Sequence, residues 1–165
     1  MNHPWTAHYP AGIPAEINPD TFASIPALFD EVAKTHGNRT AFVCLRKSIS
    51  YKEVNTLSNR FAGYLQSLGL EPGDRVAVMM PNLTQYMVAL LGILRAGLIA
   101  VNVNPLYTAH ELAHQLKDSG AKAVVIIENF AKTLETALPE TEVKPIIPTK
   151  VGDMLPWHQR LLTDF

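Results

Sequence analysis

The segment from Arg75 through Val76, Ala77, Val78 and Met79 to Met80 is apolar throughout after its first residue. It is bracketed by the turn Glu71-Pro-Gly-Asp74 on one side and by Pro81-Asn82 on the other. A half-buried strand alternates apolar and polar residues, because successive side chains face opposite sides. A short run without alternation belongs to a strand covered on both faces, and that requirement selects a parallel sheet between layers of helix. The rest of the chain repeats the theme. The patterning predicts helices over Leu83–Ala96, Ala109–Ser119 and Phe130–Leu138, and strands over Ile99–Val103, Ala123–Ile127 and Lys144–Ile147. Helices alternating with short apolar strands define an α/β protein with a parallel, doubly wound sheet flanked by helices on both faces. The helix at 83–96 is apolar almost all round, so it should be a buried central helix.

The N-terminal half adds a cap to this unit. Pro4, Pro10, Pro14 and Pro19 crowd the first residues, and proline at that density blocks helix and central strand alike. Residues 1–22 are therefore expected to form an extended arm, residues 23–150 the α/β unit, and residues 151–165 an amphipathic tail. Within the unit, a helix is predicted from Pro26 to His36, with Gly37 as a left-handed stop. Two short strands, Ala41–Leu45 and Ser48–Ser50, should be joined by a bend at Arg46-Lys47. Ser50 and Glu53 form an S-x-x-E capping box, followed by a stripe of Val54, Leu57, Phe61, Tyr64, Leu65 and Leu68 that ends at Gly69.

Charge excludes one class of partner. Lys and Arg number 14 against 15 Asp and Glu, so there is no basic footprint for nucleic acid. A single cysteine, Cys44, rules out an internal disulfide and suits a reducing compartment. No basic segment precedes an apolar one at the N-terminus, and the longest apolar core, Met87–Leu94, is too short to span a bilayer. A cytoplasmic protein is expected.

Nucleotide chemistry in an α/β protein normally requires a glycine-rich loop whose N–H groups cradle phosphate. Neither G-x-G-x-x-G nor G-x-x-x-x-G-K-[ST] occurs, and the glycines are scattered singly. One catalytic pattern does match. His110-Glu111-Leu112-Ala113-His114 reads H-E-x-x-H on a helix, the arrangement in which two histidines hold zinc and the glutamate activates water. Glu111 also completes a second capping box with Thr108, and no further histidine follows at metal-ligand spacing. Glu128 or Glu135 would have to serve as a distant third ligand. Capping and surface roles are the simpler account. Asn82, Asn102 and Asn104 fall at strand ends, where open α/β sheets gather ligands, although asparagine also serves there to turn the chain. Trp5 and Trp157 are expected to anchor arm and tail by packing.

Several linked segments resemble those of AMP-forming adenylating enzymes, the acyl-CoA synthetase and luciferase superfamily. They are Ile49-Ser-Tyr-Lys-Glu-Val-Asn55, Asp74-Arg-Val-Ala-Val-Met-Met-Pro-Asn82, Leu94-Arg-Ala-Gly97 with Val101-Asn-Val-Asn-Pro-Leu-Tyr107, and Asp118-Ser-Gly-Ala-Lys122. The stretch from Tyr9-Pro10 to Pro19, and Val151-Gly-Asp153, resemble the bacterial long-chain fatty acid branch in particular. The resemblance implies the N-terminal subdomain of the adenylate-forming fold. It also implies a complete enzyme that uses ATP, magnesium and coenzyme A to convert a fatty acid through an acyl-adenylate to its thioester. The family's Ser/Thr/Gly-rich phosphate loop and its catalytic lysine match no position here, so the resemblance assigns no catalytic, cofactor-binding or metal residue to this chain. The chain alone is expected to be an inactive N-terminal fragment.

Trp157, Leu161, Leu162 and Phe165 begin an apolar stripe with nothing to pack against, which points the same way. A partial sheet is also expected to expose apolar surface and to self-associate, and the amphipathic tail leaves peripheral membrane contact open. Two readings from other classes stand beside this one: a stand-alone flavodoxin-like binding domain, and a zinc peptidase built on His110, Glu111 and His114.

Overall fold

The computed structural model describes residues 3–157 and Arg160. Four parallel strands form the central sheet: β3 (Arg75–Met79), β4 (Ile99–Val103), β5 (Ala121–Ile127) and β6 (Ile146–Thr149), in the spatial order β4-β3-β5-β6. The central position of β3 explains its unbroken apolar run. It pairs with β4 on one side and β5 on the other, and Val76 to Met80 are all buried.

Alternation within the strands divides the core in two. Val76, Val78, Ala123, Val125 and Ile127 face one layer, where they meet α2 (Tyr51–Ser67) and α3 (Thr84–Arg95). Ala77, Met79, Val124 and Ile126 face the other, against α4 (Ala109–Ser119) and α5 (Ala131–Ala137). Both faces are therefore covered by helix, as the uninterrupted strand requires. No residue from Leu83 to Ala96 is exposed, so α3 is the buried helix its composition demands. The two-stranded ribbon β1 (Thr40–Cys44) and β2 (Lys47–Ser50), with α1 (Ile25–His36), closes a third apolar cluster around Ile49, Val54 and Leu91.

The structure corrects four local expectations. Gly37 is not left-handed, with φ −49°; a Cβ there would lie 2.6 Å from the Ala33 carbonyl oxygen, so close approach explains the glycine. The ribbon turns at Leu45-Arg46, one residue earlier than expected, because Cys44 pairs with Lys47. The most deeply buried stripe of α2 is Val54, Ser58, Ala62 and Leu65, while Tyr64 is exposed. Small residues face α3 because the two helices approach so closely there that a Cβ on Gly92 would come within 2.6 Å of Phe61 Cδ1. The last strand begins at Ile146, after a cis Lys144–Pro145 bond, and tolerates Pro148 because it lies at the sheet edge.

The proline-rich arm forms short 3-10 turns at Pro4–His8 and Pro19–Thr21, and neither contains a buried residue. Trp5 and Trp157 are exposed to 55% and 76%, so they do not anchor the chain ends by burial as expected. Leu161, Leu162 and Phe165 lie outside the described residues, as does His158.

Candidate functional site

Open parallel sheets bind ligands beyond the carboxyl ends of the strands, at the point where successive connections leave toward opposite faces. Here that point lies between β3 and β5. The chain leaving β3 enters α3 on one face, and the chain leaving β5 enters α5 on the other. Beside it, between α2, α3 and the ends of β5 and β6, is an apolar cavity of about 220 Å³. Met80, Phe61, Val88, Val125, Ile147 and Met154 supply much of its wall.

Gln85 is the polar group that organises this end. It occupies the first turn of α3 and is 8% exposed, and its Nε2 donates to the Lys150 carbonyl oxygen at 2.8 Å. An amide buried in an apolar wall needs such a partner, because an unpaired one would lose its hydration without return. The bond ties α3 to the chain leaving β6. Asp153 then holds that turn, accepting from the Lys150 backbone N–H at 2.8 Å and from Thr149 Oγ1 at 3.0 Å. Lys150 Nζ reaches Glu128 Oε2 at 3.4 Å across the strand ends. Sequence patterning did not single out Gln85. Its signal was a polar residue inside an otherwise apolar helix.

The three asparagines have different partners. Asn102 is exposed on edge strand β4, where its Oδ1 accepts from Tyr86 Oη at 2.9 Å and its carbonyl accepts from Gln115 Nε2 at 2.9 Å. Asn104 accepts the Leu106 N–H at 3.0 Å and so shapes the loop after β4. Asn82 borders a separate apolar groove between β1 and α3, together with Val43, Cys44 and Met87.

Within the H-E-x-x-H segment, the glutamate is committed elsewhere. Glu111 Oε2 accepts from the Thr108 N–H and from Thr108 Oγ1, each at 2.8 Å, in a complete capping box. Those bonds, the backbone one foremost, hold its carboxyl below the ordinary glutamate range. His110 and His114 are exposed on α4. Glu135 is exposed on α5, and Glu128 pairs with Lys150. Among the described residues, no group of His, Cys, Asp and Glu could hold a metal ion. Among the described residues, no glycine-rich turn borders the crevice either. No helix of the described residues is long and apolar enough to cross a membrane.

The chain's similarities agree with this architecture. Residues 29–162 match the family described as AMP-binding enzyme. The whole chain is 50% identical to a long-chain-fatty-acid–CoA ligase of Salmonella typhimurium, and 96% of it is 35% identical to one of Bacillus subtilis. It spans about 30% and 28% of those proteins. Among solved structures, a Mycobacterium tuberculosis fatty acyl CoA synthetase superposes with a TM-score of 0.71 at 30% identity, over 84% of this chain and 28% of that one. With the parallel sheet, its two helical layers and most of the sequence accounted for by one family, the chain belongs to the AMP-binding enzymes.

Proposed function

We propose that this chain is the N-terminal part of a long-chain fatty acid CoA ligase. That enzyme joins a fatty acid to ATP, releasing pyrophosphate, and then passes the acyl group from AMP to the thiol of coenzyme A. The observation that carries the reading is the 50% identity over the full chain to a relative of which it spans 30%. The absence of a phosphate-cradling loop from the sequence supports a scaffold role for this part. We assign the catalytic residues, and those for ATP, magnesium and coenzyme A, to the part of the complete enzyme that these 165 residues do not include. What these residues do is build the packed wall beside the crevice: α3 is fixed between the sheet and α2, and Gln85 holds the chain leaving β6. We assign the complete enzyme to the cytoplasm, a reading supported by the single Cys44. Exposed Val43, Leu45 and Leu106 support self-association of the chain by itself.

The test is to express the complete coding sequence and follow acyl-CoA formation across fatty acids from short to long, beside the 165-residue chain. Thioester formation favouring long acyl chains is expected from the complete protein, and no ATP–pyrophosphate exchange from the chain alone. Exchange catalysed by the chain would overturn the scaffold assignment. Failure of the complete protein to acylate coenzyme A with any fatty acid would overturn the ligase.

A further inference from the structure

Where α1 ends and α2 begins, a surface notch of about 330 Å³ is lined by Lys34, His36, Arg39 and Lys52, together with Gly37 and Asn38. All four basic side chains are exposed, and none forms an ion pair among the described residues. Cations at the end of a helix ordinarily serve its exposed carbonyls. Here backbone donors already do part of that work: the Arg39 N–H donates to the His36 carbonyl at 2.8 Å, and the Lys52 N–H to the Gly37 carbonyl at 2.9 Å. Of the acids around the notch, Glu31 lies one turn before Lys34 on α1, and two others are engaged. Glu53 turns back to Ser50 N and Oγ, and Asp30 pairs with Arg95. Three permanent positive charges and a histidine thus share one concavity in a chain whose formal net charge is −1. A concave surface lined by one sign of charge concentrates counter-ions.

We propose that this notch is a binding site for a phosphate group borne by a soluble ligand. Arginine offers a planar fork and the lysines point charges, a combination that matches several phosphate oxygens at once. A lipid surface is the poorer fit, because no large apolar side chain lines the notch to enter a bilayer. The site shares no lining residue with the cavity beside the crevice, and it stands or falls independently of the ligase reading.

Isothermal titration of inorganic diphosphate into the protein at low ionic strength tests this. The titration is repeated with the triple variant Lys34→Gln, Arg39→Gln, Lys52→Gln and with the charge-matched control Lys122→Gln, Lys132→Gln, Lys144→Gln. Saturable binding is expected, weakened about tenfold or more in the first variant and unchanged in the control. No saturable binding, or equal losses in both variants, overturns the site. Amide shifts in the unmodified protein give a second readout that needs no variant: diphosphate should move Gly37, Asn38 and Arg39, and shifts spread evenly over the molecule overturn the proposal. Preferential binding to phosphatidylglycerol-containing vesicles over phosphatidylcholine, without diphosphate binding, overturns the soluble source.

Discussion

Arg95 Nη2 donates to Asp30 Oδ1 at 2.7 Å, joining the last turn of α3 to the middle of α1. The same guanidinium reaches Asn55 Oδ1 at 2.6 Å and Asn59 Oδ1 at 3.3 Å on α2, so one side chain fastens three helices. The arginine is 9% exposed and the aspartate 51%, which makes the hydrogen-bonded fork more valuable than the bare charge pair. Arg95→Ala should lower stability by about 2 kcal/mol in urea unfolding, and Asp30→Asn by less than about 1 kcal/mol. Equal effects would mean that the ion pair, not the fork, fastens the helices.

Two glycines in neighbouring helices should respond oppositely to alanine. Gly63 in α2 is exposed and a Cβ there meets nothing within 4 Å, so Gly63→Ala should stabilise by about 0.5–1 kcal/mol. A Cβ on Gly92 would lie 2.6 Å from Phe61 Cδ1 and 3.1 Å from the Ser58 carbonyl oxygen. Overpacking there outweighs the propensity gain, and Gly92→Ala should destabilise by about 1–3 kcal/mol. Thermal midpoints that rise in both variants would refute the close α2–α3 contact.

The ribbon turn carries backbone strain. Leu45 and Arg46 have φ of 48° and 64°, the two-residue geometry that asparagine and glycine adopt readily. Leu45 is 52% exposed and gives up little burial when replaced. The double variant Leu45→Asn, Arg46→Gly should gain about 1 kcal/mol, measured by the urea midpoint.

Acid should loosen the two capping boxes. Backbone N–H donation from Ser50 and Thr108, followed by their hydroxyls, holds Glu53 and Glu111 below the ordinary value of 4.5. A carboxyl whose folded pKa is depressed contributes fully above its unfolded pKa and loses that contribution as pH falls through the folded one. Stability should therefore decline on acidification below about pH 4.5, and Glu53→Gln with Glu111→Gln should flatten that decline. Unfolding midpoints of the double variant that track the parent across this range would count against the boxes as its source.

Much of the architecture was legible in the residues because it rests on local rules. The uninterrupted run at β3 demanded cover on both faces, and the S-x-x-E and T-x-x-E boxes at Ser50 and Thr108 marked helix starts that the structure contains, hydrogen bonds included. Left-handed Gly69 and Gly120 end α2 and α4 where the periodicity stops. The resemblance carried by Asp74–Asn82 and Leu94–Tyr107 pointed to the family to which residues 29–162 belong.

The remainder depends on distances between segments far apart in the chain. No periodicity reveals that Gln85 will meet the carbonyl of Lys150, or that Phe61 will crowd Gly92. Nor does it reveal that Lys52 will join Lys34 and Arg39 around one notch. Local hydrogen bonding and hydrophobic alternation let the sequence determine the sheet, its helices and their caps. Only tertiary packing decided which polar side chains were buried together, because that choice depends on how closely α1, α2 and α3 approach across the finished core.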